Sequence, residues 1–296
     1  MVYLLRDFFL ILSEILFGQT DPLIGYGHLV QRANPSFFGL NFQNKVGIVF
    51  NNASVNQNDR QQANYIFGAL SFPEQQFSLG LEVESFKVNI TDITYNNARF
   101  SFVYHVKINQ NLFFLPGVSG KYANNQTISN IILEDQINQL TGFINPESID
   151  PLSSQLTSTN YFDLGASFII HNENFFAGLN LEHLNQPNIS QVGEVESKLP
   201  LGITLSNAFE INLNPYGQNI FPSNTFLYVY QHFKKFGNTT QLSFNQNLQF
   251  NQFTVGFAQN AGKVTTFGLQ SFGLTMGLIL ENFNFGYQYN FPIKSV

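Results

Sequence analysis

The chain contains no cysteine and no tryptophan, and only 11% of its 296 residues are charged. The absence of cysteine excludes a disulfide framework, a thiolate nucleophile and a Cys-ligated metal site. The net charge of -6 and the lack of a basic stripe argue against a nucleic-acid partner. No internal run of apolar residues reaches the roughly 18 that a transmembrane helix needs.

Aromatic residues are abundant instead, with 34 Phe and 12 Tyr. They alternate along the chain with Gly, Asn, Gln and Ser. In residues 160–187, alternation places Phe162 and Phe168 on one face of a predicted strand and Asp163 and His171 on the other. Each arm of this hairpin has roughly 10 to 12 residues, which is enough for a tilted strand to cross a bilayer. The pattern predicts an all-β fold, an antiparallel transmembrane β-barrel of the outer membrane.

The domain organisation is predicted to be simple. Residues 1–18 are predicted to be a signal peptide, because an apolar stretch from Phe8 to Phe17 precedes the small residue Gly18. A short amphipathic N-terminal helix is the alternative. Residues 19–296 are predicted to form a single outer-membrane β-barrel domain.

The predicted strands number about 13, whereas bacterial single-chain barrels have an even number, so the design is interpreted as about 14 strands. Either one strand lies within residues 123–159, or the closing strand is missing from this sequence. Five predicted tight turns fall at one end of the barrel, after Phe72, Ile108, His171, Phe250 and Glu281.

Several segments depart from the strand pattern. Residues 51–62 are polar and are predicted to be a loop, and the strand at 253–258 is predicted to be short. Residues 123–159 and 185–200 lack sustained alternation. Because connections on rigid scaffolds often carry function, these two segments are the predicted contacts with a partner.

No catalytic, cofactor-binding or metal site is predicted, and the protein is not expected to be an enzyme. Its five His are scattered singly, and Glu82 and Glu84 have no partner nearby in the sequence. A barrel hydrolase would need a Ser or Asp within about 3 Å of a His, and no spacing in the chain provides such a set.

A series of short motifs runs along most of the chain. Their residues are Asp21, Pro22, Asn34, Pro35, Gly39, Asp163, Gly165, Gly178, His183, Pro187 and Gly286. In order and spacing these motifs resemble those of the PorP/SprF membrane proteins associated with type IX secretion. The segment from Gly286 to Tyr289 resembles a motif near the end of that family, with Asn290 in place of its acid. The motif residues are interpreted as structural, with no assigned role.

The resemblance implies an accessory component of type IX secretion in the bacterial outer membrane. The implied partners are outer-membrane lipid, other type IX secretion components, and the C-terminal domain of a secreted adhesin or filament protein. The implied role is export or cell-surface anchoring of that protein, in gliding or adhesion. The resemblance brings no catalytic residue and no cofactor. The alternative is a small-solute outer-membrane channel, which requires an open lumen, whereas strands crowded with Asn, Gln and inward Phe favour a plugged one.

The resemblance also bears on the last predicted strand. Members of the family usually continue through a loop to one more strand, which implies that a closing strand is missing here. Alternatively, Asn284 to Phe291 resembles the C-terminal signal of outer-membrane proteins, and this strand is then the true end of the barrel.

Overall fold

The computed structural model describes residues 29–56, 59–88, 93–127, 136–137, 143–145, 159–189, 198–216, 221–263 and 267–293. The predicted signal peptide, residues 1–18, and the motif residues Asp21 and Pro22 lie outside this part. Within it, no helix combines the length and the apolar character needed to cross a membrane.

Within the described residues, fourteen strands form one antiparallel sheet, so the predicted all-β fold class is confirmed. The strands are β1 Lys45–Asn56, β2 Asp59–Phe72, β3 Phe77–Val88, β4 Ile93–Tyr104, β5 Val106–Lys107, β6 Phe113–Thr127, β7 Thr159–His171, β8 Phe175–Glu182, β9 Gly202–Asn212, β10 Thr225–Phe236, β11 Thr239–Phe250, β12 Phe253–Lys263, β13 Phe267–Leu280 and β14 Phe283–Pro292. In the part of the chain that the structure describes, a short helix, α1 (Val30–Ala33), and the 3₁₀ helices η1 (Pro35–Phe42) and η2 (Pro73–Gln75) accompany them. Long strands pair in sequence order, and the two-residue β5 pairs with β6 beyond the end of β4.

The two faces of the sheet differ in the way that the alternation predicts. On β4, Arg99, Ser101 and Val103 are buried, whereas Phe100 and Phe102 between them are exposed. The face with the buried residues is called the inner face here, and the opposite one the outer face. Exposed apolar side chains cover the outer face, which is the surface that a sheet presents to lipid.

Two strand predictions were wrong at their boundaries. The polar residues 51–62 form no long loop, because β1 continues to Asn56 and β2 begins at Asp59, with Asn52 paired to Gln62. The strand predicted at 253–258 extends to Lys263 along β13. Ladder hydrogen bonds join backbone groups, so a strand continues through polar residues wherever its neighbour continues as well.

The two longest connections and the five predicted tight turns lie at opposite ends of the sheet. The five predicted tight turns follow β2, β5, β7, β11 and β13, and the antiparallel order places all of them at one end. This end is called the tight-turn end. The opposite end, called the long-connection end, holds the connections between β6 and β7 and between β8 and β9.

The sheet is not closed within the described residues, since β1 pairs there only with β2 and β14 only with β13. Strands β6 and β7 pair directly with each other, with Asn125 opposite Thr159. The absence of a closing strand stays a prediction.

Candidate functional site

A segment that precedes the first strand packs against the inner face of the sheet. This inner segment, residues 29–42, includes α1 and η1 with Asn34 between them. Its local structure follows from Asn34 and Pro35: the Asn34 side chain accepts a hydrogen bond from the Ser36 amide at 3.0 Å, and Pro35 occupies the first position of η1. Proline is favoured there because its missing N–H would have no partner within the helix.

The inner segment lies in the hollow of a strongly curved sheet. Its 3₁₀ helix η1 lies against β2, β3, β4, β6 and β7, and Phe37 and Ala33 share apolar clusters with Phe176 on β8 and Tyr230 on β10. Phe37 and Phe38 are almost fully buried, and the Phe37 ring lies 4.5 Å from the Phe176 ring on β8. Each buried Phe contributes roughly 1.5–3 kcal/mol to stability. The sequence had predicted no such packing for these residues.

Contacts along β4 show the direction in which the inner segment runs. At the middle of β4, Arg99 donates to the backbone carbonyls of Gln31 and Arg32 at 3.5 and 3.3 Å. Near the tight-turn end, the Phe42 ring stacks on His105 with centroids 3.7 Å apart. The segment therefore runs along the hollow towards the tight-turn end, where β1 begins.

Asn34, a motif residue, connects the inner segment to the hairpin of β7 and β8. Its amide nitrogen donates to the carbonyls of Phe168 and Leu179, each at 3.2 Å. Gly178, a second motif residue, leaves room for this amide, since a Cβ there would lie 2.6 Å from Asn34 Nδ2. The structure thus brings together two motif residues that are far apart in the sequence.

Other bonds fix the same part of the inner segment. Asn180 on β8 donates to the Ala33 carbonyl at 3.1 Å, and the Ser36 and Ser167 hydroxyl oxygens lie 2.8 Å apart. Gly39, also a motif residue, lies against β4, where a Cβ would be 2.7 Å from Val103 Cγ1. The backbone of the inner segment lies so close to the sheet here that there is no room for a Cβ, which explains why glycine suits this position.

A buried network of charged groups lies beside α1. Arg99 forms an ion pair with Glu82 through Nε at 2.5 Å and with Glu182 through Nη1 at 3.3 Å. Glu82 also accepts from the Tyr65 hydroxyl, and Lys234 lies 3.2 Å from Glu182. These residues belong to β2, β3, β4, β8 and β10, so the network crosses the hollow. A buried charge is tolerated when such partners compensate its desolvation.

The inner segment contributes its own cation to this region. Arg32 lies 2.7 Å from Glu84, the second carboxylate that had seemed to lack a partner in the sequence. Sequence reasoning missed these pairs because their members lie far apart along the chain. The signal was present, since Glu82 and Arg99 fall on inward positions of consecutive strands and are direct neighbours in the ladder.

A second charged cluster joins the motif residues Asp163 and His183. Asp163 Oδ2 lies 2.9 Å from His183 Nδ1 and 2.8 Å from Lys121 Nζ. His183 has a φ of 60° just after β8, a left-handed conformation that turns its ring towards the inner face. With Asp163 already in an ion pair with Lys121, the cluster resembles a structural ion pair more than a nucleophile with its base.

The remaining motif residues lie elsewhere. Gly165 faces β6, where a Cβ would be 2.6 Å from Ser119 Oγ. The Pro187 carbonyl accepts from the Leu199 amide at 3.1 Å, in the connection after β8. Gly286 lies on β14, and the nearest atom to a Cβ there is the Met276 carbonyl oxygen at 4.0 Å.

The inner face of β11 to β13 is built differently, from neutral side chains. Asn260 bonds with Ser243 and donates to Ser271 at 3.2 Å, and Thr275 donates to Asn247 at 2.9 Å. Over the described residues, no three His, Asp or Glu side chains gather in a way that could hold a metal ion.

Comparisons with known proteins identify the family. Among solved structures, a KdgM porin matches with 11% identity over 84% of this chain and 98% of its own, at a TM-score of 0.37, which is too low to support a functional assignment. A search of curated proteins finds no match. The family model described as "Type IX secretion system membrane protein PorP/SprF" matches residues 30–296. The chain therefore belongs to the PorP/SprF family of type IX secretion system membrane proteins.

Proposed function

We propose that this protein resides in the outer membrane and holds a secreted surface protein, through that protein's C-terminal domain, for export or anchoring at the cell surface. The proposal rests on the position of the inner segment. Asn34, Ser36 and Arg32 hold it against the inner face of the sheet by hydrogen bonds and an ion pair. A hollow occupied by a fixed segment suits a rigid scaffold better than an open passage for solutes.

The outer face supports placement in a membrane. Val46 and Phe50 on β1 are 81% and 78% exposed, and exposed apolar side chains continue across the sheet to Tyr289 on β14. Most strands have 10 to 15 residues, as tilted membrane strands do.

The partner is proposed to bind at the long-connection end. Both connections predicted to contact it lie at that end, so one partner surface would reach them together. In the second connection, Asn188 and Lys198 form an isolated β-bridge, which holds the base of the connection together.

The test is affinity purification of the tagged full-length protein from outer membranes in mild detergent, followed by mass spectrometry. We expect a large secreted protein whose peptides include its C-terminal domain. Replacing residues 189–197 with a Gly-Ser linker should abolish its recovery. The control replaces residues 217–220, in a connection at the tight-turn end, and should leave recovery unchanged.

An engineered disulfide distinguishes the proposed anchoring function from a small-solute channel. The variant Ser36→Cys/Ser167→Cys would join the inner segment to β7, because the two hydroxyl oxygens are 2.8 Å apart and the chain has no other cysteine. We expect the oxidised variant to retain the secreted protein and to show no change in conductance in planar bilayers. Recovery of the barrel alone, with a conductance that oxidation abolishes, would favour the small-solute channel.

A further inference from the structure

Two lysines and a threonine form a row on the outer face at the long-connection end. Lys235 on β10 is opposite Thr240 on β11, and Thr240 is opposite Lys263 on β12. Residues opposite each other in an antiparallel ladder project from the same face. The side chains of both lysines are exposed.

The alternation on these strands places the row outside. Lys234 pairs with Glu182 on the inner face, and His232, Ser243 and Asn260 are buried there. The positions between these residues, which include Lys235 and Lys263, therefore face outward.

An apolar row lies directly beside the lysines, two residues further into the sheet. It consists of Leu205, Phe233, Leu242, Ala261 and Leu269. Leu205 and Phe233 are 50% and 37% exposed on the outer face. The cations thus stand about 7 Å beyond a surface suited to hydrocarbon, at the depth where lipid head groups meet a membrane protein.

No acid lies in the lysine row over the described strands, because the row continues with Ile203 on β9 and Phe267 on β13. Neither lysine forms an ion pair within the described part of the chain. This arrangement differs from Lys234, whose charge Glu182 neutralises. Two exposed cations without a carboxylate are available to an external anion.

We propose that Lys235, Thr240 and Lys263 bind the phosphate-bearing head group of a membrane lipid. Two strand spacings place the lysine Cα atoms about 10 Å apart, and flexible side chains can converge from that distance on one phosphate. The Thr240 hydroxyl lies between them as a further donor. A phospholipid and a phosphorylated glycolipid present the same chemistry to this site.

The test measures lipid binding to the purified full-length protein by native mass spectrometry. The probes are dihexanoyl phosphatidylglycerol, which is anionic, and dihexanoyl phosphatidylcholine, which is zwitterionic. We expect each Lys→Gln change to weaken binding of the anionic lipid roughly fivefold, and the double variant Lys235→Gln/Lys263→Gln about 25-fold. Binding should also weaken as salt concentration rises.

The control is Lys107→Gln, which removes the same charge from an exposed residue of β5 at the tight-turn end. Binding by this variant should equal that of the unaltered protein. Lipid A is the probe for the glycolipid source, and its retention over phosphatidylglycerol would identify that source. Equal binding of the anionic lipid by the double variant, or of phosphatidylcholine by the unaltered protein, would overturn the proposal.

Discussion

Two regions of the sheet stabilise their buried polar side chains in different ways. One is the region that contacts the inner segment, and the other runs from β11 to β14. In the first, Glu82, Arg99 and Glu182 form ion pairs across the hollow. In the second, neutral side chains such as Asn260 and Ser243 bond to the adjacent strand. Both regions read in the sequence as polar residues alternating with aromatic ones.

The difference teaches where buried charge is possible in a barrel. An ionised group away from water needs several partners, and a single neighbouring strand offers few. The inner segment supplies more of them, namely the backbone carbonyls of Gln31 and Arg32 for Arg99 and the Arg32 guanidinium for Glu84. On the inner face of β11 to β13, where no such segment packs within the described residues, amide and hydroxyl side chains form the buried hydrogen bonds instead.

The largest loss of stability is expected for a change in the charged network beside the inner segment. Replacing Arg99 with Met removes the ion-pair partner of Glu82 and one of the cations beside Glu182, so the free energy of unfolding should fall by about 3–5 kcal/mol. Urea unfolding from lipid vesicles measures this loss. Adding Glu82→Gln to the variant should recover part of it, because one uncompensated charge is removed. A loss below about 1 kcal/mol would show that the network is not needed for stability.

Two glycine variants test the comparison with an intermediate expected loss of stability. Gly178→Ala places a Cβ 2.6 Å from the Asn34 amide and 3.0 Å from the Phe168 carbonyl, so it should cost about 1–3 kcal/mol. Gly286→Ala on β14 meets no atom closer than 4.0 Å and should stay within about 0.5 kcal/mol of the unaltered protein. The same urea titration compares them. Equal losses would contradict the packing of the inner segment against β8.

On the inner face of β11 to β13, which is lined by neutral side chains, the expected effect is smaller than on the charged network. Asn260→Ala removes the bonds to Ser243 and Ser271, and we expect a loss of about 1–2 kcal/mol in the free energy of unfolding. The variant should still retain the secreted protein in the affinity purification. A loss as large as that of Arg99→Met would show that the two regions are equally demanding.

Most of the fold was predictable because alternation is a local signal. The hairpin of β7 and β8, the buried positions of Asp163 and His171 and the last strand are where the pattern placed them. The errors fell where strands run on through polar residues, as at 51–62. There the length of the neighbouring strand determines where a strand ends. The alternation of side chains along one strand carries no information about the length of its neighbour.

Less of the candidate site was predictable. Motif residues such as Asn34, Gly178 and His183 were identified, but not which of them meet. The sequence pattern placed Asp163 and His171 on one face of the same strand, whereas Asp163 pairs with His183, across the hairpin. The packing of the inner segment was missed because it depends on contacts with strands far along the chain, which no local periodicity encodes.

The route of the inner segment has a consequence for the order of folding. Each long ladder joins strands that follow one another in the sequence, so the sheet grows by successive hairpins. The bonds from Asn34 to Leu179 and from Asn180 to Ala33 instead close loops of 145 and 147 residues. Long loops cost more entropy to close, and contacts between distant residues slow folding. We therefore expect these bonds to form only after β7 and β8 have paired, which makes them a late and sensitive reporter of whether the sheet has reached its final curvature.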